Sequence, residues 1–240
     1  MNYVVRYAKI FWIYFWAITM TLILFVPIML ASVLSRTGNL AFSLSKIWAR
    51  VMLLITGTRI DIQGREKMKQ GRSYVIVSNH QSMFDILALV TSLGIQYRWT
   101  IKKELLKTPL FGYALYASRN IFIDRSNPEK ARESIRKGLE RLPAGVSIMF
   151  FAEGTRSPDG RLLNFKKGAF NVALEKSNPI LPVTVNGSRH VLPRKSFVFT
   201  PGRIRVVVGD PIETQGYNHE TLAELMAKTR SAIQSNLVLD

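Results

Sequence analysis

The stretch that decides the fold is Tyr74–Asp85, YVIVSNHQSMFD, in which a short apolar run gives way to polar residues. The run from Tyr74 to Val77 predicts a buried strand, and the apolar pattern from Ile86 to Leu93 predicts a helix directly after it. A strand that leads into a helix is the repeating unit of α/β sheets. The stretch therefore predicts an α/β fold, with His80 and Asp85 at the junction of strand and helix.

The same alternation of apolar runs and helical patterns continues to the end of the sequence. Further strands are predicted at residues 97–101, 121–123, 146–151, 180–185 and 203–208, and a final helix at about residues 219–236. A helix with Asn127 as its N-cap and Pro128 at its first position is predicted to end before Gly145. The predicted fold class is α/β: a single domain, residues 58–240, with a mixed and largely parallel sheet flanked by helices.

Residues 1–57 form a different kind of segment. No charged residue occurs between Ile10 and Ser35, and a helix over that run would be about 39 Å long, enough to cross the ~30 Å hydrocarbon core of a bilayer. The run is too long for a signal peptide. Between Leu40 and Ile55 one helical stripe carries Leu40, Leu44, Ile47, Val51 and Leu54, as in a helix that lies on a membrane surface. Membrane-anchoring helices are therefore predicted, which either span the bilayer once or dip in and return.

The composition limits the chemistry. The chain carries 33 Lys and Arg against 16 Asp and Glu, a net charge of +17, which favours nucleic acid, an anionic membrane surface or phosphorylated substrates as partners. No cysteine is present, which excludes disulfides, thiolate zinc sites and a cysteine nucleophile. The three histidines lack metal-ligand spacing, so no metal is expected. A membrane-anchored nucleic-acid-binding protein is the remote alternative, but no known module occurs and no nucleic acid is expected.

His80 and Asp85 are the candidates for acid–base chemistry. In one continuous helix, residues five apart lie about 140° from each other and could not meet. They can meet if His80 ends the strand and the helix begins near Asp85, whose carboxylate would then accept one imidazole N–H and leave the other nitrogen free as a base. The alternative is a surface-loop histidine beside an N-capping aspartate.

Polar residues also follow two other predicted strands. Asp124 and Arg125 follow one of them, and AEGTRS, residues 152–157, follows the other. Strand ends are where α/β sheets build their sites. Gly154 allows close backbone approach, and Arg156 suits bidentate phosphate binding. An ion pair at a strand end and a solvated basic loop are the alternatives.

In order and approximate spacing, four blocks of the sequence resemble those of the glycerolipid acyltransferases, and in particular of the 1-acylglycerol-3-phosphate acyltransferases. The blocks are Asn79–Asp85 (Asn-His-x4-Asp), Phe122–Arg125 (FIDR), Phe151–Ser157 (FAEGTRS) and Ile180–Val183 (ILPV). The resemblance spans roughly residues 73 to 190. One departure is Ala152, where the family usually has proline, so we expect altered loop rigidity rather than lost chemistry.

The resemblance implies transfer of a fatty acyl group from acyl-CoA or an acyl-carrier protein to the hydroxyl of lysophosphatidate, giving phosphatidate, with no cofactor besides the donor. It implies His80 as general base and Asp85 as its partner. The substrate-binding residues that it implies are Lys102, Arg125, Glu153, Gly154, Thr155 and Arg156. Glu153 is expected to bind the glycerol backbone or to position a basic neighbour.

The resemblance also sets the expected surroundings. The partners are a membrane lipid acceptor, the acyl donor and an anionic membrane surface. The expected location is a bacterial inner membrane, with the catalytic domain on the cytoplasmic side. The alternative acceptors are other lysolipids, namely lyso-ornithine lipid and lysophosphatidylglycerol.

Overall fold

The computed structural model describes residues 2–239, in which an α/β domain follows two N-terminal helices. The helices are α1 (Tyr3–Leu34), α2 (Asn39–Ile55), α3 (Phe84–Ser92), α4 (Phe111–Ala117), α5 (Pro128–Glu140), α6 (Gly168–Glu175), α7 (Ser188–Val191) and α8 (Leu222–Gln234). The strands are β1 (Arg59–Gln63), β2 (Val75–Ser78), β3 (Tyr97–Lys102), β4 (Ile121–Ile123), β5 (Ser147–Phe151), β6 (Ile180–Asn186) and β7 (Arg203–Val208). Two 3-10 helices cover Arg65–Lys67 and Lys103–Lys107.

The seven strands form one sheet in the order β1-β7-β6-β2-β5-β3-β4. Neighbouring strands are parallel except β6 and β7, which are antiparallel, so that β1 and β7 run against the other five. Every residue of the central strands β2 and β6 is buried, as expected for parallel strands covered on both sides. The predicted fold class, an α/β domain with a mixed and largely parallel sheet, is confirmed.

Each side of the sheet is covered by its own helices because side chains alternate along a strand. On one side, Ile76, Met149 and Leu181 pack in a cluster with residues of α2 and α3. We call this side the hairpin face, after the hairpin that α1 and α2 form there. On the other side, which we call the α6 face, Val75 and Ile148 pack in a cluster with residues of α5, α6 and α8. The carboxyl end of β2 therefore lies between two separately packed layers.

Helices α1 and α2 form an antiparallel hairpin. The Trp12 indole donates to the Ile55 carbonyl (2.9 Å) and the Trp48 indole donates to the Thr21 hydroxyl (3.2 Å), so the start of α1 lies beside the end of α2. Helix α1 is long and apolar enough to cross a membrane by length and composition. Its exposed apolar side chains include Phe11, Phe15, Ile18, Leu22, Val26, Leu30 and Val33. The hairpin thus presents hydrocarbon to its surroundings.

The predicted apolar stripe of α2 faces both α1 and the surroundings, and Leu44 and Val51 pack in a cluster with residues of α1. Leu40, Ile47 and Leu54 are exposed, whereas Ala49 and Met52 are buried against the domain. Helix α2 is therefore apolar on two sides, one for the core and one for its surroundings.

Several boundaries differ from the prediction. Helix α5 begins at Pro128 with the Asn127 side chain accepting from the Lys130 N–H (2.7 Å), as predicted, but it ends at Glu140 rather than near Gly145. Pro143 accounts for the early end, because its ring disfavours helical backbone in the residue before it. Strand β1 and helices α4 and α6 are elements that the sequence patterns did not predict.

Candidate active site

His80 and Asp85 meet in the turn between β2 and α3. Strand β2 ends at Ser78 and α3 begins at Phe84, so the five intervening residues reverse the chain. Nδ1 of His80 lies 2.7 Å from Oδ2 of Asp85. The Asp85 side chain is fully buried, and 12% of the His80 side chain is exposed. The contact has the geometry that an imidazole base and its orienting carboxylate need.

The carboxylate of Asp85 is held by the backbone as well. Oδ2 accepts hydrogen bonds from the Gln81 N–H (2.6 Å) and the Ser82 N–H (2.9 Å). Asp85 also lies in the first turn of α3, where the helix dipole favours negative charge. A carboxylate fixed in this way assigns the imidazole proton to Nδ1 and leaves the lone pair of Nε2 available.

Aromatic rings fix the plane of the imidazole. The ring of Phe151 stacks on His80 with centroids 3.8 Å apart and an interplanar angle of 9°. Trp99 in turn stacks on Phe151 at 5.5 Å and 28°. The imidazole is therefore constrained at its edge by Asp85 and on its face by Phe151. The sequence analysis did not predict this role of Phe151.

The third sequence block holds the backbone of His80. Glu153 Oε1 accepts the His80 N–H (2.8 Å), and Oε2 accepts the Leu163 N–H (3.0 Å). The Ser157 N–H donates to the His80 carbonyl (2.7 Å). Glu153 is only 3% exposed, and this burial raises the pKa of its carboxyl above the ordinary value.

These contacts favour one of the two expected roles of Glu153, the positioning of a basic neighbour. Both of its oxygens accept backbone N–H groups and its side chain is buried, so it holds the backbone of His80. The signal available in the sequence was a carboxylate directly after a buried strand, which fits either role.

Asn79 positions the same turn from the other side. Its amide nitrogen donates to the Val185 carbonyl (2.9 Å), and its amide oxygen accepts the Val185 N–H (2.8 Å). These bonds extend the pairing of β2 with β6 beyond the last paired backbone residue, Ser78. The fourth sequence block, Ile180–Val183, lies wholly buried within β6, and so it supports the turn as scaffold.

The predicted cationic residues occupy three different surroundings. Arg125 is exposed and donates from a guanidinium nitrogen to the Gly154 carbonyl (2.8 Å), which joins the second block to the third. Arg156 is half-buried, and within residues 2–239 its guanidinium has no hydrogen bond or ion pair. Lys102 forms an exposed ion pair with Glu104 (3.2 Å) at the end of β3. Arg125 thus contacts the third block, whereas Lys102 is paired with Glu104.

The remaining predicted residues of the third block are loop residues. Gly154 has φ +69°, and a Cβ there would lie 2.8 Å from Cε of Lys166. Its backbone conformation therefore suits glycine. Thr155 is exposed and follows directly. Both residues lie between Glu153 and Ser157, which hold the backbone of His80.

Asp124 has a structural role. Its carboxylate accepts from the Ser126 N–H (3.0 Å) and lies 3.3 Å from Nζ of Lys103. The hydrogen bonds from Ser126, followed by that from Lys103, lower the pKa of Asp124 to about 2. The ion pair at this strand end is therefore made with Lys103 and not with the adjacent Arg125.

An apolar cavity of about 90 Å³ opens between the hairpin and the domain. It is lined by residues of α1 to α4 together with Trp99, which belongs to the aromatic stack beside His80. Across the described residues, no three His, Asp or Glu side chains lie close enough together to hold a metal ion.

The chain can now be compared with known proteins. The family model described as Acyltransferase matches residues 59–186, more than half of the chain, and this span includes His80, Asp85 and the third block. The chain therefore belongs to the acyltransferase family.

Three relatives are similar to this chain over three quarters of its length or more. The 1-acyl-sn-glycerol-3-phosphate acyltransferase of Pseudomonas aeruginosa is 31% identical over 195 residues, which are 79% of this chain and 75% of that protein. An uncharacterized acyltransferase of Schizosaccharomyces pombe is 36% identical, over 75% of this chain and 66% of its own length. The chloroplastic 1-acyl-sn-glycerol-3-phosphate acyltransferase BAT2 of Brassica napus is 34% identical, over 81% and 56%. The chain thus spans less than two thirds of the last two.

The fold has a solved counterpart. The crystal structure of the 1-acyl-sn-glycerophosphate (LPA) acyltransferase PlsC from Thermotoga maritima superposes with a TM-score of 0.83. The superposition covers 98% of this chain and 96% of the other at 24% identity. The likeness extends over the N-terminal hairpin as well as the α/β domain.

Proposed function

We propose that the chain transfers a fatty acyl group from an acyl thioester to the free hydroxyl of lysophosphatidate, forming phosphatidate. The observation that carries this proposal is the 2.7 Å contact between His80 Nδ1 and the buried Asp85 carboxylate, in a chain of the acyltransferase family. Relatives named as 1-acyl-sn-glycerol-3-phosphate acyltransferases support the choice of acceptor.

The proposed reaction needs one base and no enzyme nucleophile. Nε2 of His80 takes the proton of the acceptor hydroxyl as its oxygen bonds to the thioester carbonyl carbon. The tetrahedral intermediate then expels the sulfur, the carbon–sulfur bond breaks, and the thiolate takes the proton back from His80. Asp85 stabilises the imidazolium that exists between these steps. A base positioned in this way contributes about 10²–10⁴-fold to the rate.

The acceptor phosphate needs a cationic partner near the base. Arg156 is the strongest candidate, because its guanidinium is not occupied by a described residue and its neighbour Ser157 bonds to the His80 backbone. A guanidinium can bind two phosphate oxygens at once. Arg125 and Lys102 are the further candidates, and Thr155 is an exposed hydroxyl beside Arg156.

We also propose that the hairpin lies within one leaflet of a membrane. Both ends of α1 contact the α/β domain. Near the start, Lys9 donates to the Phe199 carbonyl (3.1 Å), and near the end, Ala31 clusters with Ala117. If α1 crossed the bilayer, the domain beside it would enter the hydrocarbon with its charged surface, which is costly. Exposed apolar rows on α1 and α2 support the leaflet arrangement.

The net charge and the apolar cavity fit the same proposal. Each basic residue near an anionic leaflet contributes about 1 kcal/mol of attraction, and both proposed substrates are anionic. The apolar cavity beside Trp99, about 90 Å³, supports only an apolar end of a fatty acyl chain as ligand, since it is smaller than the ~300–1,000 Å³ of usual small-molecule sites. We therefore propose a membrane location with the domain on the cytoplasmic side of a bacterial inner membrane.

The decisive experiment supplies purified protein with lysophosphatidate and either acyl-CoA or acyl-carrier protein, and identifies the product lipid by mass spectrometry. The expected product is phosphatidate from the protein and none from His80→Ala. Parallel reactions contain lyso-ornithine lipid or lysophosphatidylglycerol. Acylation of one of these in place of lysophosphatidate would contradict the proposed acceptor, and no acylation of any of them would contradict the proposed reaction.

A further inference from the structure

A second feature adjoins the candidate active site, a groove of about 540 Å³ between α5, the third sequence block and α6. Four basic side chains line it, and no acidic side chain is among its described lining residues. The four are Arg125, Arg132, Lys166 and Lys167. We call this feature the cationic groove. Its volume falls within the range of about 300–1,000 Å³ that is usual for small-molecule sites.

The positive charge of the cationic groove is not neutralised from within the described chain. Arg125 donates only to a carbonyl, and the side chains of Arg132, Lys166 and Lys167 form no ion pair with any residue from 2 to 239. Like charges held close together repel each other. An anionic ligand would relieve that repulsion, so the groove is suited to binding one.

The opposite side of α5 provides a contrast. A groove of about 520 Å³ there contains basic side chains too, but Asp124, Glu129 and Glu133 line it with them. Lys103 pairs with Asp124 (3.3 Å) and Lys137 pairs with Glu133 (3.3 Å). Two of its five basic side chains are thus paired, and its net formal charge is +2, from five basic and three acidic lining side chains. The cationic groove, with four basic side chains and no acidic one, carries more positive charge.

The position of the cationic groove indicates how its occupant is built. Its floor is apolar and belongs to the α6 face, with Ile123, Ile135 and Phe150 among the lining residues. Phe151 also lines it, and the same ring stacks on the imidazole of His80. The groove therefore suits a molecule with a phosphate at one end and a less polar arm that reaches the base.

We infer that the cationic groove binds the phosphopantetheine arm of the acyl donor, with Arg132 and Lys167 contacting its phosphate; the inference rests on the proposed function. In the proposed function the acceptor is a membrane lipid, and the exposed hydrocarbon of the hairpin favours its approach from the hairpin face. The donor is water-soluble, and the cationic groove lies on the α6 face, away from the exposed hydrocarbon of the hairpin. Acyl-CoA and acyl-carrier protein share this arm, so the groove accommodates the part common to both.

The first test compares steady-state kinetics of the full-length protein and its variants. Arg132→Ala and Lys167→Ala are each expected to raise the donor KM about tenfold, because each removes a charge-assisted contact to phosphate, while the acceptor KM stays unchanged. Arg156→Ala is expected to show the reverse pattern. The matched control is Lys176→Ala, an exposed basic residue at the other end of α6, which leaves both constants unchanged. A rise in the acceptor KM for Arg132→Ala and Lys167→Ala would overturn the inference.

The two donors separate the possible sources of the phosphate. If the shared arm binds in the groove, the variants lose affinity for the acyl-CoA and for the acyl-carrier protein alike. A loss confined to acyl-CoA would show that the cations bind the nucleotide phosphates, and it would overturn the assignment to the shared arm.

Direct binding keeps the inference separate from the proposed reaction. Coenzyme A without an acyl group is titrated into the full-length protein, and its dissociation constant is measured by calorimetry. The double variant Arg132→Ala, Lys167→Ala is expected to bind it at least tenfold more weakly. This result in a protein that acylates no lysolipid would support the groove and contradict the proposed function. Unchanged binding by the double variant would overturn the groove assignment, whatever the activity.

Discussion

The two sides of the sheet present opposite chemistry to their surroundings. On the hairpin face, α1 and α2 carry exposed leucines, isoleucines and phenylalanines, with Leu22 and Leu30 more than half exposed. On the α6 face, the outer surface of α5 is covered by ion pairs of Arg136 with Glu133 and Glu140. One sheet therefore separates a surface suited to lipid from a surface suited to water. His80 lies in the turn at the carboxyl end of β2, between the two packed layers.

The largest effect is expected from a substitution of His80, which lies between the two sides of the sheet. His80→Ala is expected to lower kcat about 10³-fold, since it deletes the base, and to leave both Michaelis constants within about twofold. Single-turnover acyl transfer measures the loss. His219→Ala, an exposed histidine near the C-terminus, is the control. Near-normal turnover by His80→Ala would remove the base assignment.

The next prediction concerns a variant in which the exposed surface of α1 is made less apolar. Substituting Leu22 and Leu30 by Asp is expected to lower partitioning into phospholipid vesicles more than 100-fold, because it removes about 3–6 kcal/mol of apolar burial and adds charge. Vesicle flotation measures the bound fraction. The activity of the variant toward a short-chain, water-soluble acceptor is expected to remain.

The control for that prediction changes charge without changing the hairpin. Lys228 is an exposed residue of α8 on the α6 face, and Lys228→Asp alters the net charge by −2, as the double leucine variant does. Equal release of the two proteins from vesicles would mean that electrostatic attraction alone holds the chain at the membrane.

The smallest effect is expected at Glu153, which holds the backbone of His80. Glu153→Gln replaces one carboxylate oxygen by an NH₂ group, which then faces a backbone N–H of His80 or Leu163. Leaving that buried donor unsatisfied is expected to cost about 1–3 kcal/mol of the free energy of unfolding. Chemical denaturation measures this loss, with Glu129→Gln, on the exposed first turn of α5, as the control. An unchanged midpoint for Glu153→Gln would contradict the buried contacts.

The local part of the site could be predicted from the sequence. The turn that joins His80 to Asp85 depends on residues within one strand-helix junction, and the apolar run Tyr74–Val77 marks where the strand ends. The roles of Glu153 and Phe151 could not be predicted in the same way. They depend on β2 and β5 being neighbours in the sheet, although more than 60 residues separate them in sequence, and no local pattern specifies which strands pair.

The parts of the fold that were missed have local causes as well. Strand β1, RIDIQ, is an edge strand in which charged or polar residues alternate with isoleucine, so it lacks the continuous apolar run of the central strands. The stripe of α2 was predicted correctly as apolar. Its opposite side, with Ala49 and Met52, was not recognised as core, because a helix that is apolar on two sides has no single apolar face for the pattern to mark.

Under the proposed function, the reversed direction of β7 and β1 determines where the lipid and the base meet. Strand β1 starts opposite Arg203 of β7, and Arg205 lies beside Asn186 at the carboxyl end of β6. The chain leaving the hairpin at Ile55 therefore joins the sheet at the same rim from which the His80 turn rises. If β1 ran the other way, the hairpin would connect at the far rim, about 17 Å away for a five-residue strand. In the proposed reaction, strand polarity thus sets the depth of the acceptor hydroxyl relative to the membrane.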